Sequence, residues 1–296
     1  MNSLSGNCKL ILCGENAESY GGQFTQYLSG DEVLLIGQPA KLAKLRSSSQ
    51  HKYCVIFVGM EFLNKKLRVE WFRALQTAMC QMNIRKVINN PQHVLARPCF
   101  LRHPTIRNIN QFAIHELRAS PSRVKMPCFI RTLAQGSMLS AELYNSVASL
   151  ERAIRSVEND SSSWIVELDQ RIMTEDIHSK IGLFRFNKSY FVAHAYRSRH
   201  WCVRGYNRLR DDGSMLYEQE LIQAFIPTPD IVSAFDIAGV EYGRADIGIF
   251  ANGISIYEIG TTPVIDVDLS RNALSLFPQM NFKKNFSDAL SDFLHD

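Results

Sequence analysis

Short apolar runs alternate with amphipathic stretches along residues 1–88. Residues 9–13, 33–36 and 53–58 are rich in β-branched residues and read as strands of a parallel sheet. Helices are predicted around residues 21–28 and 39–46. Residues 62–84 carry the longest helical pattern, with Trp71, Leu75, Ala78 and Met82 at three- and four-residue spacing. Val87 and Ile88 begin another strand. This order predicts an open α/β lobe.

The pattern changes over residues 89–168. Asn89-Asn90-Pro91 is a turn signal that breaks the strand. Met126 to Arg131 reads as a strand ending in a cation, and residues 140–157 as a helix capped by Ser140. Its apolar stripe is Leu143, Val147, Leu150 and Ile154. A polar loop over 159–163 leads to a strand over 164–168. Over residues 169–296, runs 181–186 and 189–196 alternate around Asn187-Lys188 as a hairpin, with Lys180 just before it. Thr228-Pro229-Asp230 opens a helix that Gly239 ends. Phe282, Phe286, Leu290 and Leu294 mark a terminal amphipathic helix of mixed polar charge, suited to packing on the body rather than on a membrane.

Residues 240–264 hold the candidate chemistry. Two apolar runs, 246–250 and 254–259, flank Ala251-Asn252-Gly253, a hairpin signal. Each run carries one carboxylate, Asp246 or Glu258. Buried carboxylates are paired or bind a cation. A two-residue Asn-Gly loop would send them to opposite faces of the sheet. A three-residue loop closed by Phe250 and Ile254, with Gly253 supplying a left-handed residue, sets Asp246 opposite Glu258, and this loop is predicted. The pair then suits Mg²⁺ shared with substrate phosphates, or else ion pairs with Arg or Lys. Arg244 shares a strand face with Asp246.

Composition narrows the class. The net charge of +4 is mild and spread out, with short basic clusters near Lys65, Arg85 and Lys283, and gives no support to nucleic-acid binding. Seven cysteines form no C-x-x-C pair and read as reduced, mostly buried thiols of a cytoplasmic protein. No apolar run reaches the roughly 18 residues of a membrane span, and the N-terminal residues do not read as a signal peptide. The loop after the first strand, Cys13-Gly14-Glu15-Asn16, is not G-x-G-x-x-G, and neither H-E-x-x-H nor G-x-S-x-G occurs.

Arg244-x-Asp246, the hairpin, and Glu258-Ile259-x-Thr261-x-Pro263 resemble the end of an ATP-grasp domain, whose pattern is R-x-D, a spacer, then E-[IV]-N-x-x-P. Ser198-Arg199-His200-Trp201 resembles an S-R-H-W segment in a little-described group of ATP-grasp-like proteins. In that group N-x-P, a basic helix and N-x-F lead into the nucleotide region, here Asn89, Pro91, Arg97, Leu101, Arg102, Ile109, Asn110 and Phe112. The resemblance implies an ATP-grasp fold behind an N-terminal open α/β lobe, with lobes 1–88, 89–168 and 169–296. It implies ATP and Mg²⁺ as cofactors, with Asp246 and Glu258 as metal ligands. Arg131 and Lys180 would meet phosphates, residues 133–137 would cover them, and the Glu167-Leu168 backbone would meet the adenine edge. Arg199 and Arg204 would hold an acyl phosphate, the alternative being ion pairs and Arg stacking on Trp201. Where the family has Asn this chain has Gly260, which offers no side-chain oxygen, so Thr261, Thr262 or water would have to substitute. The implied activity is ligation of a small-molecule or peptide carboxylate to an amine or thiol of a second substrate. The alternative is a degenerate module that keeps the fold without turnover. No oligomeric state is assigned by the sequence.

Overall fold

The computed structural model describes residues 8–15, 17–24, 27–28, 32–46, 51–132, 142–157, 163–174, 176–262 and 273–295. Four parallel strands, β1 (Cys8–Cys13), β2 (Val33–Ile36), β3 (Lys52–Phe57) and β4 (Ile84–Ile88), form a sheet in the order β2-β1-β3-β4. The connecting helices are α1 (Ala17–Phe24), α2 (Pro39–Ala43) and α3 (Lys65–Met79). The unbroken apolar runs of β1 and β3 follow from burial on both faces. Ile11, Cys13, Val55 and Phe57 enter one core, while Leu10, Leu12, Cys54 and Ile56 enter another. The first helix lies at 17–24 rather than 21–28. The long helix starts at Lys65, because residues 60–62 form a separate 3₁₀ turn and the Asn64 side chain caps the helix by accepting from Leu67 N at 3.0 Å.

After β4 come α4 (Arg97–Leu101) and α5 (Pro104–Ile109), whose Phe100, Leu101 and Ile106 enter the first core. A three-stranded antiparallel sheet follows, built from β5 (Ile114–Glu116), β6 (Cys128–Thr132) and β7 (Ser163–Glu167) in the order β5-β7-β6. Helix α6 (Val147–Val157) begins at Val147 and not at Ser140, which lies outside the described residues. Tyr144 instead exchanges backbone hydrogen bonds with Cys128, at 2.8 and 3.1 Å, so the chain runs extended beside β6. Ser146 Oγ, accepting from Ser149 N at 3.2 Å, caps the helix.

The third sheet is antiparallel: β8 (His178–Phe186), β9 (Ser189–Ser198), β10 (Tyr242–Phe250) and β11 (Gly253–Gly260), ordered β11-β10-β8-β9. Helices α7 (Asp212–Ala224) and α8 (Pro229–Ala238) separate its two hairpins, and α9 (Ala273–His295) closes the chain. Gly239 ends α8 in the left-handed region, at φ 68°.

One face of this sheet, with Ile181, Leu183, Ala245 and Ile247, belongs to the core shared with α3 and α8. The other face changes character along its length. At one end Phe184, Phe186 and Tyr242 pack under Phe282, Phe286 and Phe293 of α9. At the other end the same face carries Lys180, Asp246 and Glu258. Among the described residues no single helix is long and apolar enough to cross a membrane. All seven cysteines are free, but only Cys13, Cys54 and Cys128 are buried, fewer than expected.

Candidate active site

The hairpin reaches the expected pairing by an unexpected route. Phe250 pairs with Gly253, so the loop is the two residues Ala251 and Asn252, not three. That register alone would move Glu258 off Asp246. A one-residue shift between Asp246 and Ile247 restores it, because Tyr257 is bulged out of β11 and Asp246 faces Glu258 directly. The bulge has a built seat. The Tyr257 ring stacks on Phe112 with centroids 6.0 Å apart, and its hydroxyl covers Gly248, where any Cβ would lie 2.3 Å from it.

Four cations surround the two carboxylates. Lys180 Nζ donates to Asp246 Oδ2 at 3.0 Å and Arg244 Nε to Oδ1 at 3.1 Å. Arg131 Nη2 donates to Glu258 Oε2, and Arg97 Nη1 lies 3.4 Å from the same oxygen. Four positive against two negative charges leave a surplus of two. Burial pushes Asp246 up, but Lys180, Arg244 and His194 outweigh it and hold the carboxyl well below its usual range. Burial likewise opposes ionisation of Glu258, yet Arg131 and Arg97 bring it down to about 2. Burial and the neighbouring Arg244 push the His194 imidazole well below its usual range.

The sign of this coupling gives a prediction. Glu258 drops from an ordinary 4.5 to about 2 on folding, so its contribution is complete above pH 4.5 and disappears as the pH falls toward 2. That contribution is roughly 3 kcal/mol. Urea denaturation should show stability falling across this window, with a shallower fall in Glu258→Gln; equal slopes would refute the assignment.

The carboxylates form the floor of a cleft between the three-stranded sheet and the C-terminal sheet, with about 850 Å³ of empty space including its open mouth. Phe129, Val166, Leu168, Ile172, Trp201 and Phe250 make its apolar part. Arg131, Lys180 and Arg204 line the charged part.

The expected residues separate into several groups. Arg131, Lys180, Arg204, Asp246 and Glu258 meet in the cleft. Lys180 lies within β8, not before it. Arg199 is exposed and does not line the cleft, so it is no partner of Arg204. The chain turns at Ser198, whose hydroxyl donates to Asn207 O at 2.8 Å and accepts from His200 N at 3.0 Å, carrying Arg199 outward. His200, not an arginine, stacks on Trp201, at 5.8 Å.

Glu167 and Leu168 line the cleft, but their N–H groups are committed to Ala113 O and Pro127 O, both at 2.9 Å. The Glu167 carboxylate accepts from Ala113 N and Lys125 N and bonds the His115 ring, so it braces the small sheet. Residues 133–137 and Pro263 lie outside the described residues.

Two features escaped the sequence. Arg97 sits in the basic segment after Asn89-Asn90-Pro91, but nothing near it in sequence assigns it a role, because its partner Glu258 is remote in the chain. The Asp169–Arg171 pair, bonded at 3.0 and 2.8 Å, ties the end of β7 to Ser255 of β11. An acid two residues before an arginine was its only local signal.

Two ionised carboxylates side by side are the donor chemistry Mg²⁺ takes. Among the described residues no third His, Cys, Asp or Glu joins them. A Cβ at Gly260 would lie 3.1 Å from Glu61 Oε1 and 3.9 Å from Arg97 Nη2. Thr261 does not replace the missing oxygen: it is fully buried, its hydroxyl donates to Glu61 Oε2, and it accepts from Gly59 N at 2.7 Å.

No family model matches the chain, and no curated protein matches it. Solved structures do. The D-alanyl-alanine synthetase A of Vibrio cholerae O1 biovar eltor aligns with TM-score 0.53 and 14% identity over 97% of this chain and 96% of its own. A RimK domain protein ATP-grasp from Sphaerobacter thermophilus aligns at 0.50 and 13%, over 97% and 100%. A D-alanine–D-alanine ligase from Bacillus anthracis complexed with ATP aligns at 0.51 and 9%, over 96% and 97%. The chain therefore has the ATP-grasp fold, with an N-terminal open α/β lobe.

Proposed function

We propose that the chain is an ATP-dependent ligase that activates a carboxylate as an acyl phosphate for attack by an amine or thiol. The observation that carries this reading is the Asp246–Glu258 pair, ringed by four cations on the floor of an apolar cleft. A surplus of positive charge beside an apolar slot suits a nucleotide, with its base against Trp201, Leu168 and Phe250 and its phosphates over the charged floor. Asp246 and Glu258 would hold Mg²⁺, which supplies charge neutralisation across phosphate oxygens.

The chain's own groups would do the rest. Arg131 and Lys180 neutralise charge as the terminal phosphoryl group passes to the substrate carboxylate and ADP leaves. Arg204 faces the carboxylates from the loop after β9 and would hold the acyl phosphate until the nucleophile displaces phosphate. The cleft must exclude water during that interval, or the intermediate hydrolyses. The carboxylate is a small molecule or peptide terminus, and the small lobe within residues 89–168 would close over the nucleotide against the C-terminal lobe, 169–296.

Gly260 favours a second reading, a nucleotide-binding or interaction module without turnover. Calorimetric titration of ATP with and without Mg²⁺ tests the first step. Wild type should show a Mg²⁺-dependent increment that Asp246→Asn lacks. No heat from folded wild-type protein would end the ligase reading.

A further inference from the structure

Position 260 is two residue pairs along the sheet from the carboxylates and so on their face: Gly260 pairs with Arg244, Ile259 with Ala245 and Glu258 with Asp246. A side chain there would enter the space beside Glu258. That space is already filled from outside the sheet. Arg97 reaches it from α4 and is 3% exposed, with Nη1 3.4 Å from Glu258 Oε2 and Nη2 3.9 Å from where a residue-260 Cβ would stand. The Phe62 ring lies 5.0 Å from the guanidinium carbon, and the Glu61 carboxylate flanks position 260. Arg97 Nε, buried, has no hydrogen-bond acceptor among the described residues. The guanidinium is thus held by packing against Phe62 and by the Glu258 carboxylate rather than by a full hydrogen-bond set.

We propose that Arg97 is a fixed cation standing beside Glu258 where a side-chain oxygen at position 260 would otherwise help hold a metal, so that the nucleotide site takes one divalent ion and not two. This rests on the nucleotide reading above. A second divalent ion between Glu258 and position 260 would lie close to the buried Arg97 guanidinium and be repelled by its positive charge. It would also find one oxygen donor fewer, and Mg²⁺ and Mn²⁺ both seek oxygen. Arg131 binds the same Glu258 oxygen, so that oxygen is doubly neutralised before any metal arrives. Arg97 therefore replaces the charge of a bound ion without its exchange.

Counting bound metal tests this without any turnover. The full chain is dialysed to equilibrium against Mn²⁺ and a non-hydrolysable ATP analogue, and bound Mn²⁺ is counted by electron paramagnetic resonance alongside retained nucleotide. One Mn²⁺ per nucleotide is expected in wild type, and two overturn the inference. Gly260→Asn should still bind one, because Glu61 and Arg97 hold the space; a second ion there also overturns it. Arg97→Met removes the competing charge and should tighten Mn²⁺ at least five-fold, whereas a merely structural Arg97 would leave it unchanged or weaker. Arg97→Lys, which keeps the charge, should match wild type. The wild-type count decides even if Arg97→Met fails to fold. Wild type that retains no nucleotide overturns the ATP reading itself, whereas nucleotide retained with two ions overturns this inference alone.

Discussion

Glu258→Gln should reduce ATP-driven ligation by at least about 10²-fold while strengthening metal-free nucleotide binding. The two effects have one cause. Glu258 is the anionic partner of Arg97 and Arg131 and one of the two carboxylates available to a metal. Neutralising it takes the floor of the cleft from a surplus of two positive charges to three. A polyanion without metal is then held more firmly, while the ion that orients the phosphates loses a ligand. The variant should also be less stable, since breaking a buried pair costs roughly 3–5 kcal/mol and here leaves two arginines short of a counter-charge. Nucleotide should restore part of that loss in thermal melts. The measurement is ADP release with candidate carboxylates, beside titration of metal-free ATP. Weaker metal-free binding in a folded variant would show that the cations do not face the phosphates. A protein-partner interaction untouched by the substitution would instead favour the module without turnover.

The strands of the parallel sheet were legible because burial on both faces leaves a simple trace, an apolar run rich in branched residues. The opposition of Asp246 and Glu258 was legible too, but for a reason the sequence misstates. Counting residues predicted a longer loop. The fold keeps a two-residue loop and absorbs the extra residue at Tyr257, whose seat is made by Phe112 and Gly248. A bulge stabilised by a remote ring has no local signature. Helix α6 shows a different ambiguity. Leu143 fits the helical stripe of Val147 and Leu150, yet it equally suits an extended segment packed on the Phe129 cluster, and the bridge to Cys128 settles which. Arg199 was misplaced because a strand end does not reveal which way the chain turns next. Arg97 could not be assigned at all, since only the folded chain brings α4 to β11.

Asn89→Ala should be the most destabilising single change outside the apolar cores. Asn89 belongs to the N-x-P segment that resembles the entry to a nucleotide region, but it acts as a joint. Its side chain donates to Phe57 O at 2.9 Å and to Tyr242 O at 2.7 Å. It accepts from Glu241 N at 2.8 Å and Tyr242 N at 3.0 Å. One fully buried amide therefore links β3 of the parallel sheet to the start of β10 in the antiparallel sheet. Its backbone sits at φ 56°, a left-handed conformation that asparagine tolerates better than alanine. Alanine removes four hydrogen bonds that the fully buried Asn89 amide makes to two carbonyls and two N–H groups. Each buried orphan costs about 1–3 kcal/mol, and partial relaxation brings the sum to roughly 4 kcal/mol. Chemical denaturation should show that loss, and nucleotide titration should show the cleft loosened as well, because the residues that carry Arg244 and Asp246 follow directly from the joint. Asn89→Asp is the sharper control. It keeps both acceptor bonds, loses both donor bonds and places a carboxylate against two carbonyls, so it should be no less damaging than alanine. A loss below about 1 kcal/mol in both variants would mean that the sheets are held together by the α9 aromatic cluster and not by this side chain.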